Sequence, residues 1–351
     1  MNFTNGKFWK IVTFFGLVSG LCVILLYLKA ENGLHIRTAV KSIIMGNPER
    51  QTRIAKNDSL LKVNLTQERV KVPNTTLKAV NSESNRLPRI LCWVMTSPSD
   101  LEKRTRHVQN TWARHCDIDL YMSSVENKSF PTIGLNVTEG RNHIAMKSKA
   151  SWTYVYERYI NKAEYFVKLD PDSFLVVENL KFYLSKFSPD EPRFFGHLFY
   201  RGGNKSFEYM SGGPGVVLSR ESVKLLVTVG FKKYPNCMPD GQGEDWKSAL
   251  CLRLAGGIPM NTTDDKGRDQ FLVFSPHTHL FGRYPAWYLQ YDLNKGRIKG
   301  VDCCSEYPIA YHYVSPQDMY LFHYFIYNVK IHSHVVREGA PDVKNYLLQK
   351  S

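Results

Sequence analysis

The chain has 351 residues, of which 43% are hydrophobic and 22% charged, with a formal net charge of +14. That length and apolar share exclude a disordered protein and suffice for one large domain with appendages. The lysines and arginines are spread along the chain with no basic helix or recognised nucleic-acid motif, so the charge reads as a soluble basic surface that attracts an anionic small molecule rather than nucleic acid.

Residues 1–10 read as a cytoplasmic tail. Residues 11–28, "IVTFFGLVSGLCVILLYL", hold no charge and lie between Lys10 and Lys29. As a helix they span roughly 27 Å, close to a bilayer core and longer than the about 7–15 apolar residues of a cleaved leader, which favours a transmembrane anchor. Lys7 and Lys10 before it and Lys29, Arg37 and Lys41 after it give no orientation. Seven N-x-S/T sequons follow, at Asn57, Asn64, Asn74, Asn127, Asn136, Asn204 and Asn261, and glycosylation needs a lumenal or extracellular side. Cys22 sits in the apolar segment, which leaves an even six cysteines, as expected of an oxidising compartment. Sequence proximity favours Cys92–Cys116, Cys237–Cys251 and Cys303–Cys304 among the many connectivities open, and no C-x-x-C pair suggests zinc.

Residues 29–88 are polar, carry three sequons and lack sustained periodicity, as a stem would. A single globular domain is expected over 89–335, with a tail at 336–351. "ILCWVM" (90–95) has the length of a buried strand, and "LEKRTRHVQNTWARH" (101–115) reads as a helix capped by Ser99 or Asp100. "IDLYMS" (118–123) and "YFVKL" (165–169) read as strands around a helix at 143–160. Further on come "RFFGHLF" (193–199), "GGPGVVLSR" (212–220), a helix near 221–229, and a helix in "DWKSALCLRLAGG" ended by Gly256 or Gly257. Strands alternating with helices indicate a parallel or mixed sheet covered on both faces.

The strand at 165–169 runs into Asp170-Pro171-Asp172. Proline supplies no N–H, so the ladder stops near Leu169, at the carboxyl end where open α/β sheets bind ligands. Residues i and i+2 of extended chain face the same way, and two adjacent carboxylates call for a cation; Mn2+ or Mg2+ beside a phosphate suits them. A surface turn explains the same residues, and so does a glycosidase acid pair. An EF-hand loop is excluded because Phe174 and Leu175 stand where an oxygen ligand and a glycine are required.

Taken in order, "RILCWVMTSPSDLEKRTRHVQNTWARHC", "EGRNHIAMKSKASWTYVY", "FVKLDPDSFLVVENLKFYL", "YMSGGPGVVLSRESVKLLV", "GEDWKSALCL" and "CCSEYPIAYHYVSPQDMYLFHYFIY" resemble the core 1 β1,3-galactosyltransferase group of animal β1,3-glycosyltransferases, over roughly residues 89 to 330. The resemblance implies a Golgi type II membrane protein, compatible with a homodimer, with a GT-A fold: a Rossmann-like mixed or parallel sheet flanked by helices behind a single-pass anchor. It implies Mn2+-dependent, inverting transfer of galactose from UDP-galactose to O3 of GalNAc on serine or threonine of glycoproteins. Asp170 and Asp172 stand at the first and third acids of the family's metal motif, and Pro171 replaces the middle one, which puts the hold on the ribose or donor sugar in doubt. His312 would complete the metal shell, although a lone histidine among tyrosines also suits a core.

Inverting transfer needs one carboxylate as base. Asp245 is the first choice and Glu244 the second, while an Asp there also caps a helix starting at Trp246. Met95, Thr96, Gly140 and Tyr313, with Asp170, are expected to meet the donor, and Arg141 and Lys147 its phosphates, unless Lys147 lies on a solvated helix face. Gly212 and Gly213 would allow close approach of a sugar, and Trp287 would stack on the acceptor unless it is core. Two rivals stay open: a non-catalytic, chaperone-like paralogue, and a transferase of a different UDP-sugar.

Overall fold

The computed structural model describes residues 86–201, 207–292, 299–330 and 332, all within one compact unit spanning Ser82–Ser351. The anchor, the stem up to residue 85, sequons Asn57, Asn64, Asn74 and Asn204, and the 336–351 tail lie outside the described residues. Among the described residues no helix is long and apolar enough to cross a membrane. Of the remaining sequons, Asn136 and Asn261 are exposed, whereas Asn127 is half-buried with its side-chain carbonyl accepting from Ser129 and Phe130.

Among the described residues, twelve strands form three sheets. They are β1 (Ile90–Met95), β2 (Ile118–Ser123), β3 (Thr132–Gly134), β4 (Tyr165–Leu169), β5 (Phe174–Leu175), β6 (Arg193–Gly196), β7 (Leu198–Arg201), β8 (Phe207–Met210), β9 (Val216–Ser219), β10 (Ile258–Pro259), β11 (Phe271–Leu272) and β12 (Ala310–Tyr311). The main sheet runs β10-β6-β9-β4-β1-β2-β3. β1, β2, β3 and β4 pair in parallel, whereas β9 is antiparallel to both β4 and β6, so the sheet is mixed. The three early strands expected from sequence have the expected boundaries. β1 and β4 are buried at every residue, as apolar runs between two layers of helices must be. Alternate residues feed opposite cores: Leu91, Trp93 and Met95 pack with Trp152, Phe166 and Phe194, and Ile90, Cys92 and Val94 with Trp112, Val167 and Phe195.

Among the helices, α1 (Ile144–Tyr159), α2 (Val177–Leu184), α3 (Arg220–Leu225), α4 (Glu244–Leu254) and α5 (Pro316–His323) matter here. α3 continues as a wide turn over Leu226–Gly230, close to the helix expected there, and α4 ends just before Gly256 in its left-handed conformation. Disulfides join Cys92 to Cys116, Cys237 to Cys251 and Cys303 to Cys304.

Two local expectations fail for tertiary reasons. The helix expected over 101–115 breaks into Leu101–Thr105, Arg106–Asn110 and Trp112–His115, with Thr111 out of helical geometry. The buried Trp112 indole donates to the Ser173 carbonyl (2.8 Å), which pulls the last turn toward the aspartate loop. Asp100 occupies the N-cap position as expected, but its side chain makes no capping bond and instead accepts from the Ser97 hydroxyl (2.7 Å). "RFFGHLF" bends at His197, whose ring bonds the Phe271 carbonyl (2.9 Å), so that β7 leaves the main sheet to pair with β8.

Candidate active site

β4 ends at Leu169, and the next four residues form a turn fastened from both sides. The Ser173 N–H donates to the Asp170 carbonyl (3.1 Å), the Asp170 N–H donates to the Ser173 hydroxyl (3.2 Å), and that hydroxyl donates to the Gly213 carbonyl (2.6 Å). Turn and metal readings of Asp-Pro-Asp-Ser are therefore compatible: the turn lies on the floor of a cleft, and the Asp170 and Asp172 side chains are only 28% and 21% exposed. Neither acid points into bulk water.

The small sheet β11-β12-β5 brings the third member. β12 pairs antiparallel with β5, placing Tyr311 opposite Phe174, and the Val314 N–H donates to the Asp172 carbonyl (2.9 Å). His312 is thereby aimed at the loop: its Nε2 lies 3.3 Å from Asp172 Oδ1 and 3.8 Å from Asp170 Oδ2. One ligand atom from each residue falls within 4.8 Å of the others. Two carboxylates and an imidazole form a donor set that could hold a divalent metal ion. Burial works to raise the Asp172 carboxyl, but His312 and then Arg104 outweigh it and hold it below the ordinary range.

The second group of acids opens α4. The helix begins at Glu244, two residues before the start at Trp246 that would make Asp245 its cap, so Asp245 lies in the first turn and is not its cap. Asp245 instead accepts from the Trp246 N–H (2.8 Å) and the Gly212 N–H (3.3 Å). Glu244 is tied up on both oxygens, pairing with Lys168 Nζ (2.8 Å) and accepting from the Ser148 hydroxyl (3.1 Å). On their inner side these acids meet Trp152, Phe194, Met210 and Leu226, which line a cavity of about 20 Å3, room for about one water. Burial in these surroundings pushes both carboxyls above their ordinary range, more strongly than the Lys168 charge holds them down.

Metal candidates and acids share one open cleft of about 1100 Å3, which Met95, Thr96, Gly140, Arg141, Lys147, Trp287 and Tyr313 also line. Trp287 is 40% exposed, so it is not a core residue. Tyr313, at φ 53°, stacks on Phe274 with ring centroids 5.5 Å apart. Lys147 departs from its expected place: it is buried, and its ammonium bonds the Thr96 carbonyl and both Glu139 oxygens (2.6 and 2.7 Å) rather than facing a ligand. Gly212 and Gly213 are also buried, and the close approach they permit is made by the protein itself. A methyl group at Gly213 would overlap the His312 ring, and one at Gly212 would stand 2.9 Å from Glu244 Oε1.

Two cations were missed by sequence reasoning. Arg104 lines the cleft with its guanidinium 3.7 Å from Asp172, and nothing in its local sequence marks it. Lys168 had a signal, a lone lysine in an otherwise apolar strand, and it lies between Asp170 (2.6 Å) and Glu244 (2.8 Å). Burial opposes its charge, but the two acids hold its ammonium well above the ordinary lysine range.

Comparison with known proteins fits this geometry. Residues 86–249 match the family model described as Fringe-like. The chain is 36% identical over 267 residues to glycoprotein-N-acetylgalactosamine 3-beta-galactosyltransferase 1 of Xenopus laevis, covering 75% of this chain and 73% of that protein. It is 29% identical over 158 residues to a human beta-1,3-glucosyltransferase, covering 44% of this chain and 30% of that one. Among solved structures it is similar to the galactosyltransferase LgtC with donor and acceptor sugar analogues, at TM-score 0.38 and 9% identity, over 68% of this chain and 97% of that one. The mixed sheet and the relative in Xenopus laevis define a glycosyltransferase with a mixed α/β sheet. The chain belongs to the core 1 β1,3-galactosyltransferase family within the β1,3-glycosyltransferases.

Proposed function

We propose that this galactosyltransferase moves galactose from UDP-galactose to O3 of a GalNAc carried on serine or threonine, with inversion at the anomeric carbon. The observation that carries the reading is the convergence of Asp170, Asp172 and His312 in the same cleft as Asp245. Asp245 acts as the base: its raised proton affinity suits it to take the proton from the acceptor hydroxyl as that oxygen bonds to the anomeric carbon and the bond to UDP breaks. Glu244, already paired with Lys168, is the weaker candidate. Asp170, Asp172 and His312 would hold Mn2+, or Mg2+ as the alternative, which when bound supplies Lewis-acid neutralisation of the departing diphosphate. Arg104 and Arg141 add positive charge on the diphosphate side. Met95 and Thr96, where β1 ends, receive the nucleoside, and the half-exposed Trp287 and Tyr313 offer aromatic faces to the sugars.

We further propose a type II Golgi arrangement, with residues 1–10 cytoplasmic, 11–28 spanning the membrane, 29–88 as lumenal stem, and the catalytic domain over 89–335. The uncharged stretch, the sequons and three disulfides support it. One feature favours a second reading, a different UDP-sugar: Pro171 lines the cleft between the two carboxylates, where the resemblance calls for a third acid. Screening UDP-sugars against a GalNAc-O-peptide, with and without Mn2+, tests both. Product from UDP-galactose alone supports the first reading, product only from another sugar selects the second, and no product from any sugar leaves a non-catalytic paralogue.

A further inference from the structure

The ammonium of Lys168 has three N–H donors and three acceptors: Asp170 Oδ1 at 2.6 Å, Glu244 Oε1 at 2.8 Å and the Gly212 carbonyl at 3.3 Å. These belong to three separate segments, the end of β4, the start of α4 and the glycine loop before β9. The Gly212 N–H in turn donates to Asp245 Oδ2 (3.3 Å), so the loop that Lys168 grips also holds the proposed base. Lys168 occupies the Asp170 oxygen that does not approach His312, which leaves Oδ2 as the one turned toward the imidazole.

We propose that Lys168 is a positioning residue that fixes the metal-facing carboxylate of Asp170 and the helix bearing Asp245 at one separation. The inference rests on the metal reading given above. A buried cation gripping a ligand's second oxygen restricts the carboxylate to one rotamer, and removing such outer partners typically weakens metal binding about 10- to 100-fold. It also sets the distance between the acceptor's base and the leaving group, which transfer depends on.

Replacing Lys168 alone would strand the buried Glu244 charge and risk the fold. The test therefore compares Glu244→Gln with the double variant Lys168→Met/Glu244→Gln, which strands neither charge. With the full chain, Mn2+ binding is followed by the loss of the free-ion electron paramagnetic resonance signal, and thermal unfolding is followed in parallel. The expected result is that Glu244→Gln binds Mn2+ within about threefold of wild type, while the double variant, folded, binds about tenfold or more weakly. At saturating Mn2+ the double variant keeps a kcat below that of Glu244→Gln, with a smaller change in KM. Equal Mn2+ binding by the two variants, or full recovery of kcat by excess Mn2+, overturns the positioning role. A wild-type chain that takes up no Mn2+ instead removes the metal reading itself and this inference with it.

Discussion

His312 Nε2 stands 3.3 Å from Asp172 Oδ1, a contact between the residue that follows the short central strand β12 and a proline-split turn far away in the chain. Asp172→Ala removes one of three converging ligand atoms, and transfer to a GalNAc-O-peptide should fall by about a hundredfold or more. The fold should survive, because the ion pair with Arg104 that this substitution also removes is long, at 3.7 Å, and half-exposed. Coupled UDP release and a melting curve measure the two effects separately. Near-normal turnover in a folded variant refutes the metal assignment.

Gly213 is the space in which His312 packs. Gly213→Ala should destabilise by about 1–3 kcal/mol through overpacking and displace the imidazole. Adding His312→Ala to that variant should recover most of the lost stability without recovering transfer, as calorimetry beside an activity assay would show. If Gly213→Ala alone is fully stable and active, the packing argument is wrong.

Asp245 must be ionised to accept a proton, and its carboxyl is held above the ordinary range by burial. Activity at saturating Mn2+ should therefore decline as pH falls through a value higher than the usual carboxylate pKa of about 4. A kcat/KM profile that stays flat down to that ordinary value argues against Asp245 as the base.

His279 gives the fold its own acid sensitivity. Its Nε2 accepts from the Phe274 N–H (3.1 Å), its Nδ1 faces the Tyr284 hydroxyl (3.0 Å), and burial pulls its pKa from 6.5 down to about 3. The unfolded chain gains a proton below about pH 6.5 that the folded chain refuses, so this group's contribution is complete above that pH. It is lost toward pH 3 by up to about 1.4 kcal/mol per unit. Urea unfolding from pH 7 to 4 should show that slope, and His279→Gln should flatten it.

What the sequence made legible follows from how local each cause is. β1, β2 and β4 stand out because a buried strand needs only a short apolar run, and Pro171 marks where the ladder must stop. Asp170, Asp172 and His312 could be named from a family pattern, but only β12 pairing with β5 brings them together. The break at Thr111 depends on an indole reaching Ser173, and the capture of Lys147 by Glu139 depends on how the fold closes around them. Neither is encoded by its neighbours in the chain. Lys168 was readable as an anomaly in an apolar strand, yet its role emerges only once α4 and the glycine loop close around it.

The cleft draws on β4, the loop at Gly212 and Gly213, the first turn of α4, and His312, so its parts leave the ribosome over a long interval. A nascent chain that has emerged only as far as α4 carries both aspartates and the base but not the imidazole that faces them. On the proposed metal reading, competence to grip a nucleotide sugar is deferred until the chain through His312 has emerged, and a polypeptide stalled before that point would fold much of its main sheet while remaining inert.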